Sequence, residues 1–265
     1  TAAERFAVRE LTMFLRRATG AAWPVVQEAD FQGGRPALFV GRTAFAGKQG
    51  IDFGKLSSEE WVIRASGNDL IVAGGRPRGT LYAVYEFLER QVGVRFLDAE
   101  AEFVPHCPDL TAPADLAVQA KPAFFRREIF MVAPQQKRHT LFQVRRKINA
   151  FGNAAVAAAG PELGFCVLFG SPYSTHTHHL YTKDFPADRP EYFALDEQGR
   201  RTGPGPDGQV CMSHPEVRKL FAQRLRRYVR EDRQRLAQAG LGEPPPQVYD
   251  LTPNDNMNKC LCGRC

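Results

Sequence analysis

Apolar residues recur at the spacing of an amphipathic helix in three stretches of the chain. The first stretch covers residues 5–19 and ends at Gly20, and the second covers residues 80–93. The third and longest runs from residue 215 to about residue 239, with arginines along its outer face. The apolar positions of the first stretch are Val8, Leu11, Phe14, Leu15 and Ala18. These patterns predict three helices, each with one face turned toward a core.

Short apolar runs between these helices predict strands. Two of them, residues 60–65 and 69–73, flank Ser66-Gly67-Asn68 and so predict a hairpin. The other runs cover residues 37–41, 94–97, 124–131, 149–153, 165–169 and 248–251. A basic helix is predicted over residues 141–148. The order of elements predicts an α+β domain first, and the later alternation of strands and helices predicts a parallel sheet or barrel.

The chain is therefore predicted to contain two domains. Residues 1–106 form a small α+β domain, residues 107–121 form a linker with at most one edge strand, and residues 122–265 form the second domain. The second part holds only three or four strand–helix units, whereas a closed barrel has eight. We interpret the chain as the front part of a longer protein that stops within its barrel.

Composition and charge exclude some classes of protein. The chain has 265 residues, 43% hydrophobic and 24% charged, as expected of a globular protein. Its net charge is +6, but arginines are interleaved with acidic residues, so nucleic-acid binding is not expected. No apolar run approaches the roughly 20 residues of a membrane span. No signal peptide is present at Thr1, which we interpret as the mature end of an exported protein or as a cut in a longer chain.

Glycines open the second helix directly after a strand, as they do in phosphate-binding loops. The segment is Gly-Gly-Arg-Pro-Arg-Gly-Thr, residues 74–80. It lacks the Lys-Ser/Thr pair of a Walker loop and the spacing of a dinucleotide fingerprint. We therefore predict a tight turn, with Arg76 and Arg78 exposed or bridging to the next domain.

Polar residues follow the last predicted strand, where an α/β barrel carries its chemistry. The apolar run 248–251 breaks at Pro253 and is followed by Asn254, Asp255 and Asn256. Asp255 is the first candidate for a catalytic residue, and Asn254 is a candidate for substrate binding. An equally weighted alternative is that both residues cap the turn or the next helix.

Histidines and aromatic residues concentrate between residues 173 and 193. His176 and His178, two apart on an extended segment, would point to the same side and contact a sugar or a carboxylate, or share a metal. No acidic residue at suitable spacing accompanies them, so sugar contact is favoured over metal binding. The alternative, that the segment is an ordinary polar loop without a ligand, has about the same weight. Tyr181 is the candidate aromatic platform for a sugar ring, whereas Phe193 is expected to pack the loop.

The cysteines fall into two groups. Cys107, Cys166 and Cys211 are scattered, whereas Cys260, Cys262 and Cys265 are clustered. Three thiolates leave a tetrahedral zinc site one ligand short, so the fourth would have to come from a histidine or from sequence that is missing. A disulfide is the rival interpretation in an exported protein. Either way we predict a structural role, holding the loop that carries Asp255.

Several separated motifs resemble known families. Residues 74–89, Gly-Gly-Arg-Pro-Arg-Gly-Thr-Leu-Tyr-Ala-Val-Tyr-Glu-Phe-Leu-Glu, followed by Gly-Val-Arg-Phe at 93–96, resemble the N-terminal domain that precedes the barrel of α-glucuronidases and β-hexosaminidases. The second half resembles the family called domain of unknown function 4838. The motifs that match it are His176-Thr-His178, Pro190-Glu-Tyr-Phe-Ala-Leu195, His214-Pro-Glu-Val217, Pro253-Asn-Asp255 and Cys260-x-Cys262-x-x-Cys265.

This resemblance implies a fold and a function. The fold would be a small α+β domain followed by the first part of a TIM-like (β/α) barrel over residues 122–265. The protein would be secreted or periplasmic and would act on an oligosaccharide or polysaccharide as a glycoside hydrolase. Such enzymes use two carboxyl groups. Asp255 would be one, and the second is expected beyond residue 265, since Glu128 is as readily structural.

Arginines and alternative functions complete the predictions. Arg126 and Arg127 are candidates for bidentate binding of a uronic acid carboxylate, a hypothesis prompted by the α-glucuronidase resemblance. No cofactor is expected to be required beyond a structural zinc. Two other functions stay open, a non-catalytic glycan-binding protein and a zinc-dependent hydrolase. The sugar, the linkage and the oligomeric state are not predicted.

Overall fold

The computed structural model describes residues 1–129, 137–150, 160–164, 167, 169–172, 175–186, 188–238 and 248–265. The chain divides into two compact units, Thr1–Cys166 and Val167–Cys265. The described residues form helices and a mixed sheet but no closed barrel. The mixed α/β class is thus confirmed, and the TIM-like barrel stays a prediction.

Within its described residues, the first unit contains four α-helices and six strands. The helices are α1 Ala2–Thr19, α2 Ala44–Lys48, α3 Gly79–Phe87 and α4 Lys137–Arg145. The strands are β1 Leu38–Val40, β2 Trp61–Ser66, β3 Asp69–Gly74, β4 Arg95–Phe96, β5 Glu102–Phe103 and β6 Ala117–Ala120. The second unit contains α5 His178–Tyr181 and α6 Pro215–Gln238. The three helices predicted from apolar spacing are present as α1, α3 and α6. The prediction of a single core-facing side is wrong for α3, because all nine of its residues are buried.

The ends of α1 show why the helix begins and stops where it does. The Thr1 side chain accepts a hydrogen bond from the Glu4 amide, and the Glu4 side chain reaches back to the backbone of Thr1. This capping box satisfies amide groups that lack a partner in the first turn. Gly20 ends the helix in the left-handed conformation, with φ 74°. The buried face includes Leu11, Phe14 and Leu15.

The main sheet has four strands in the order β1-β3-β2-β6. β1 runs parallel to β3, whereas β2 is antiparallel to both β3 and β6. The predicted hairpin at Ser66-Gly67-Asn68 is confirmed as the β2–β3 connection. β6 is the edge strand that the prediction allowed within residues 107–121. The first unit continues to Cys166, beyond the predicted boundary at residue 106.

Four of the later predicted strands appear only as single bridges in the described residues. Glu128 forms a parallel bridge with Ala150, and Phe169 forms a parallel bridge with Val248. These bridges fall within the strands predicted at 124–131, 149–153, 165–169 and 248–251. Residues 130–131, 151–153, 165–166 and 168 lie outside the described residues.

The turn before α3 brings backbone segments into close contact. A Cβ atom on Gly79 would overlap the carbonyl oxygen of Glu60. A Cβ atom on Gly74 or Gly75 would also overlap backbone atoms. The close approach of this turn to the backbone of residues 57–60 therefore explains the glycines without a bound phosphate.

Arg78 corrects the prediction for this turn. Its side chain is only 3% exposed, and its Nε donates to Glu59 Oε1 at 2.8 Å. Its Nη1 donates to the carbonyl oxygen of Gly164 at 3.0 Å. Of the two alternatives predicted for Arg78, exposure is wrong, because the side chain is buried against Glu59. The bond to Gly164 does join Arg78 to a residue of the predicted second domain, 122–265. Arg76 does lie at the surface, paired with Glu4 at 3.1 Å.

The second unit packs an aromatic core against α6. Tyr181 on α5 stacks on Phe221 of α6, with ring centroids 5.0 Å apart. The core residues are Tyr181, Tyr192, Phe193, Val210, Val217 and Phe221. One antiparallel bridge joins Phe193 to Val210, and a second joins Leu195 to Arg201, in the segment that leads into α6. Among the described residues, no helix is both long enough and apolar enough to cross a membrane.

Candidate functional site

Two chain segments of the second unit leave adjacent strands at the same end. Besides the parallel bridge between Phe169 and Val248, the Gly170 amide donates to the Val248 carbonyl at 2.7 Å. Beyond the bridge, the amides of Thr177 and His178 both donate to the Thr252 carbonyl, at 3.1 and 3.2 Å. Loops that follow neighbouring parallel strands are the usual place for a site in α/β proteins. The structure therefore joins the predicted histidine segment to the predicted strand-end loop.

Asn254 is the centre of this junction. It is 5% exposed, and its Oδ1 accepts a hydrogen bond from the His179 amide at 2.8 Å. Its Nδ2 donates to the carbonyls of Gly205 and Gly208, at 3.0 and 2.8 Å. Gln209 bonds to the Asn254 backbone on both sides, accepting from its amide and donating to its carbonyl. With its side-chain donors and acceptor occupied, Asn254 fixes the loop, and its predicted contact with substrate stays a prediction.

Along residues 254–258, asparagine side chains that hold the loop alternate with exposed side chains. Asn256 Nδ2 donates to the carbonyls of Pro206 and Gly208, and Asn258 Nδ2 donates to the carbonyl of Asp207. Asn254, Asn256 and Asn258 thus all hold the turn at residues 203–208. Asp255 lies between two of these anchors and is exposed. The Asp255 carboxyl group is thus exposed to solvent, on a loop that hydrogen bonds of Asn254 and Asn256 hold in place.

The histidine segment differs from its prediction. His176 has φ 56°, and His178 begins α5, so the segment is not extended and the argument for a shared side is wrong. His176 is exposed, with Nδ1 3.2 Å from the Pro253 carbonyl oxygen. His178 is buried at 4% exposure, edge-on to Phe221. His179, which the sequence did not single out for a site, places Nδ1 3.0 Å from Asn254 Oδ1.

Tyr181 lies in the core of the second unit. Its side chain is 1% exposed, and its ring is covered by Phe221 and Tyr228. Burial raises the pKa of Tyr181 to about 12. The ring therefore offers no open face to a sugar in this structure, and its role as a platform stays a prediction.

His178 makes the second unit sensitive to acid. Burial lowers the pKa of His178 below 6.5, although a hydrogen bond with Gln209 and the charge of Asp250 act in the opposite direction. The unfolded chain then binds more protons than the folded one below pH 6.5, so stability falls as the pH falls. The slope contributed by this residue cannot exceed about 1.4 kcal/mol per pH unit.

We expect the unfolding free energy of the second unit to depend less on pH in His178→Gln than in the unsubstituted protein, between pH 6.5 and about pH 5. Urea unfolding followed by the near-ultraviolet dichroism of the tyrosines measures this slope. His106→Gln, an exposed residue of the first unit, is the control and should keep the original slope. Equal slopes in all three proteins would contradict the assignment.

A groove of about 540 Å³ lies beside the Asn254 loop. Its lining residues include His179, Thr182, Lys183, Phe185, Phe193 and residues 204–206. The volume is in the range of small-ligand sites. An imidazole, a hydroxyl and an ammonium group beside two phenyl rings can offer hydrogen bonds and an apolar surface to a sugar. The sequence missed Lys183 and Thr182, because nothing in their spacing relates them to residues 204–206.

Four cysteines converge at the end of the second unit. The Sγ atoms of Cys211, Cys260, Cys262 and Cys265 all lie within 4.8 Å of one another. Cys211 Sγ is 3.6 Å from Cys262 Sγ and 3.8 Å from Cys265 Sγ, and all four residues carry free thiols. The four sulfur atoms could therefore bind a metal ion. A fourth ligand was predicted to come from a histidine or from missing sequence, whereas the structure places Cys211 beside the three clustered cysteines.

Hydrogen bonds around the sulfur atoms favour thiolates. The amides of Leu195 and Cys262 donate to Cys260 Sγ, and the amides of Arg264 and Cys265 donate to Cys262 Sγ. A hydrogen bond from Ser213 lowers the pKa of Cys262 to about 5, whereas burial raises the pKa of Cys260 to about 11. The hydrogen bonds thus favour the thiolate at Cys262, whereas burial disfavours it at Cys260.

The predicted arginine site belongs to the first unit. Arg127 Nη1 pairs with Glu59 at 2.9 Å, and Arg126 pairs with Glu128. Arg127 is thus held in an internal ion pair, and the proposed binding of a uronate by either arginine stays a prediction. Tyr173 and Cys166 lie outside the described residues.

The family comparison covers the later part of the chain. A family model described as Domain of unknown function (DUF4838) matches residues 96–265. This match is more than half of the chain and includes the four cysteines and the Asn254 loop. No curated protein matches the chain.

Proposed function

The chain belongs to the DUF4838 family, and from that premise we propose that it is an exported carbohydrate-active protein that hydrolyses glycosidic bonds of an oligosaccharide or uronide. The reaction would use carboxyl groups, with Asp255 as one of the pair. The first part of a TIM-like barrel and an N-terminal domain like that of α-glucuronidases belong to the same proposal.

One observation carries this proposal. The loops after two parallel-bridged segments, at Phe169 and Val248, are held together by hydrogen bonds and present an exposed aspartate. In α/β barrels the residues that do chemistry follow the strands at this end. Asp255 is fixed on both sides by Asn254 and Asn256, so little conformational entropy is lost when it engages a substrate.

Asp255 can act as a general base, an acid or a nucleophile, depending on its distance from the second carboxyl group. Asp250, the other acidic residue of the loop, is 9% exposed and accepts a hydrogen bond from Thr252 Oγ1 at 2.9 Å. It is therefore a supporting residue of the loop, and the proposal does not assign the second carboxyl group to it.

A hydrolysis screen tests this function. We expect the full-length protein to release aryl groups from at least one member of a panel of aryl glycosides and uronides. Asp255→Asn should lower kcat/KM by about 100-fold or more, because general acid–base groups contribute roughly that amount. Asp109→Asn, an exposed aspartate of the first unit, is the matched control and should retain full activity. Full activity in Asp255→Asn would contradict the role of Asp255.

A non-catalytic glycan-binding protein is the second candidate. It is favoured by the buried, hydrogen-bonded state of Asp250, which leaves Asp255 as the single exposed carboxylate of the described loop 248–258. The groove beside His179 and Lys183 would then bind the sugar without cleaving it. Binding on a glycan array, with no hydrolysis of any glycoside, would establish this candidate.

The chemistry of the cysteine cluster argues against a zinc-dependent hydrolase. A catalytic zinc ion keeps one position open for water, and its protein ligands number three. Four thiolates would fill a tetrahedral ion completely. Any metal in the cluster therefore supports the fold of the loop and does not activate water.

A further inference from the structure

We propose that Cys211, Cys260, Cys262 and Cys265 bind one zinc ion in a closed tetrahedral site that fastens the Asn254 loop to the segment before α6. The proposal adds a metal, a stoichiometry and a fourth ligand to this chain. It does not depend on the proposed hydrolase activity, because the metal is measured directly.

The spacing of the sulfur atoms fits a tetrathiolate site. Zinc–sulfur bonds of about 2.3 Å in a tetrahedron place the sulfur atoms about 3.8 Å apart. Cys211 Sγ lies 3.6 and 3.8 Å from the sulfur atoms of Cys262 and Cys265. A disulfide requires about 2.05 Å between two sulfur atoms and pairs each sulfur with only one other. Four sulfur atoms that are mutually within 4.8 Å match one shared ion better than two separate pairs.

The groups around the sulfur atoms match those that surround metal thiolates. Amide groups donate to Cys260 Sγ from Leu195 and Cys262, and to Cys262 Sγ from Arg264 and Cys265. Outer partners of this kind orient metal ligands and stabilise their charged form. The Cys265 amide also donates to the Cys262 carbonyl at 2.9 Å, closing the tight turn that aims both thiols inward.

The ligands flank the hydrogen bonds that hold the Asn254 loop. Gln209 contacts Asn254 and lies two residues before Cys211, whereas Asn258 lies two residues before Cys260. The ion would therefore connect both sides of the same contact and close a chain segment of about fifty residues. Because metal binding and local folding are coupled, loss of the ion should open this contact first.

Zinc content and ligand exchange test the proposal. The chain is reduced, dialysed against zinc and then against metal-free buffer, and its zinc is measured by elemental analysis. We expect one zinc ion per chain in the unsubstituted protein and in Cys107→Ser, which replaces a half-buried free thiol of the first unit. Cys211→Ser should bind zinc more than about 100-fold more weakly, since even outer partners of a ligand contribute 10- to 100-fold.

Two further measurements use the unsubstituted protein, so that misfolding of a variant cannot decide the result. The cadmium-113 resonance of the cadmium-loaded chain should have the strongly downfield position of four thiolates. Hydrogen exchange after chelation should accelerate at residues 205–209 and 254–258 and stay unchanged in β2 and β3. A reduced chain that binds no zinc, a chain that binds iron in preference, a cadmium resonance of fewer thiolates, or a Cys211→Ser protein that binds zinc as tightly as Cys107→Ser would each overturn the proposal.

Discussion

Replacing Glu59 with alanine is expected to lower the unfolding free energy of the first unit by about 3 to 5 kcal/mol. The Glu59 carboxylate bonds to Arg78 at 2.8 Å, to Arg127 at 2.9 Å and to Asn149 Nδ2 at 2.8 Å. Arg78 is 3% exposed and Arg127 is 14% exposed. Alanine would leave the buried guanidinium of Arg78 and the half-buried one of Arg127 without their carboxylate, which is the costly way to break an ion pair of low exposure.

The pKa of Glu59 depends on the same ion pairs with Arg78 and Arg127. Burial would raise the pKa of Glu59, but the hydrogen bond from Arg127 and the charge of Arg78 lower it below 4.5. The ion pairs therefore stabilise the folded state above about pH 4.5, and this stabilisation is lost as the pH falls through the lowered pKa. Measurements on the variant belong near pH 7, where the full effect is present.

Urea unfolding followed by tryptophan fluorescence measures this effect selectively. Both tryptophans of the chain, Trp23 and Trp61, lie in the first unit. Glu60→Ala is the matched control, because the neighbouring carboxylate is more exposed and bonds to Ser57 and Gln119. It should cost less than about 1 kcal/mol. Similar midpoints for the two variants would contradict the importance of the Glu59 cluster.

Asn254→Ala is expected to cost about 3 kcal/mol in the stability of the second unit. The alanine would remove the Asn254 bonds to the His179 amide and to the Gly205 carbonyl, and one of the two bonds that the Gly208 carbonyl accepts. Each buried polar group that loses its hydrogen bond costs about 1 to 3 kcal/mol, less where water can reach it. The loss should be concentrated in residues 203–209 and 254–258.

Hydrogen exchange of peptides from these two segments is the suitable measurement, because the second unit contains no tryptophan. Asn258→Ala is the control, since its side chain is exposed and donates only to the Asp207 carbonyl in the described structure. We expect a change below about 0.5 kcal/mol for the control. Equal protection from hydrogen exchange at residues 203–209 and 254–258 in the two variants would show that Asn254 does not hold the loop.

Local patterns were sufficient to predict several elements. α1 and α6 follow from apolar residues at helical spacing with a capping residue or proline at the start. The β2–β3 hairpin follows from Gly67 between two β-rich runs. In each case the signal lies within a few residues of the element it specifies, so the sequence is enough.

Long-range partners could not be predicted in the same way. Cys211 joins Cys260 across 49 residues, and no spacing rule connects a lone cysteine to a distant cluster. The burial of Arg78 could not be predicted, because its partner Glu59 lies 19 residues earlier in the chain and has no local relation to it. Asn254 was equally compatible with substrate binding and with capping. Only the position of the turn at residues 203–208 shows that its side chain is occupied.

Along the Asn254 loop, alternate positions either hold the fold or face solvent. The even positions 254, 256 and 258 hold the turn, while Asp255, Met257 and Lys259 are exposed, Met257 at 86%. Substitutions at the odd positions would therefore change the charge, length and hydrophobicity of the exposed surface at little cost in folding. A library randomised at 257 and 259, with Asp255 and the asparagines kept, would sample ligand preference on a constant backbone. The same division would allow natural variants of this loop to diverge in what they recognise while keeping one scaffold.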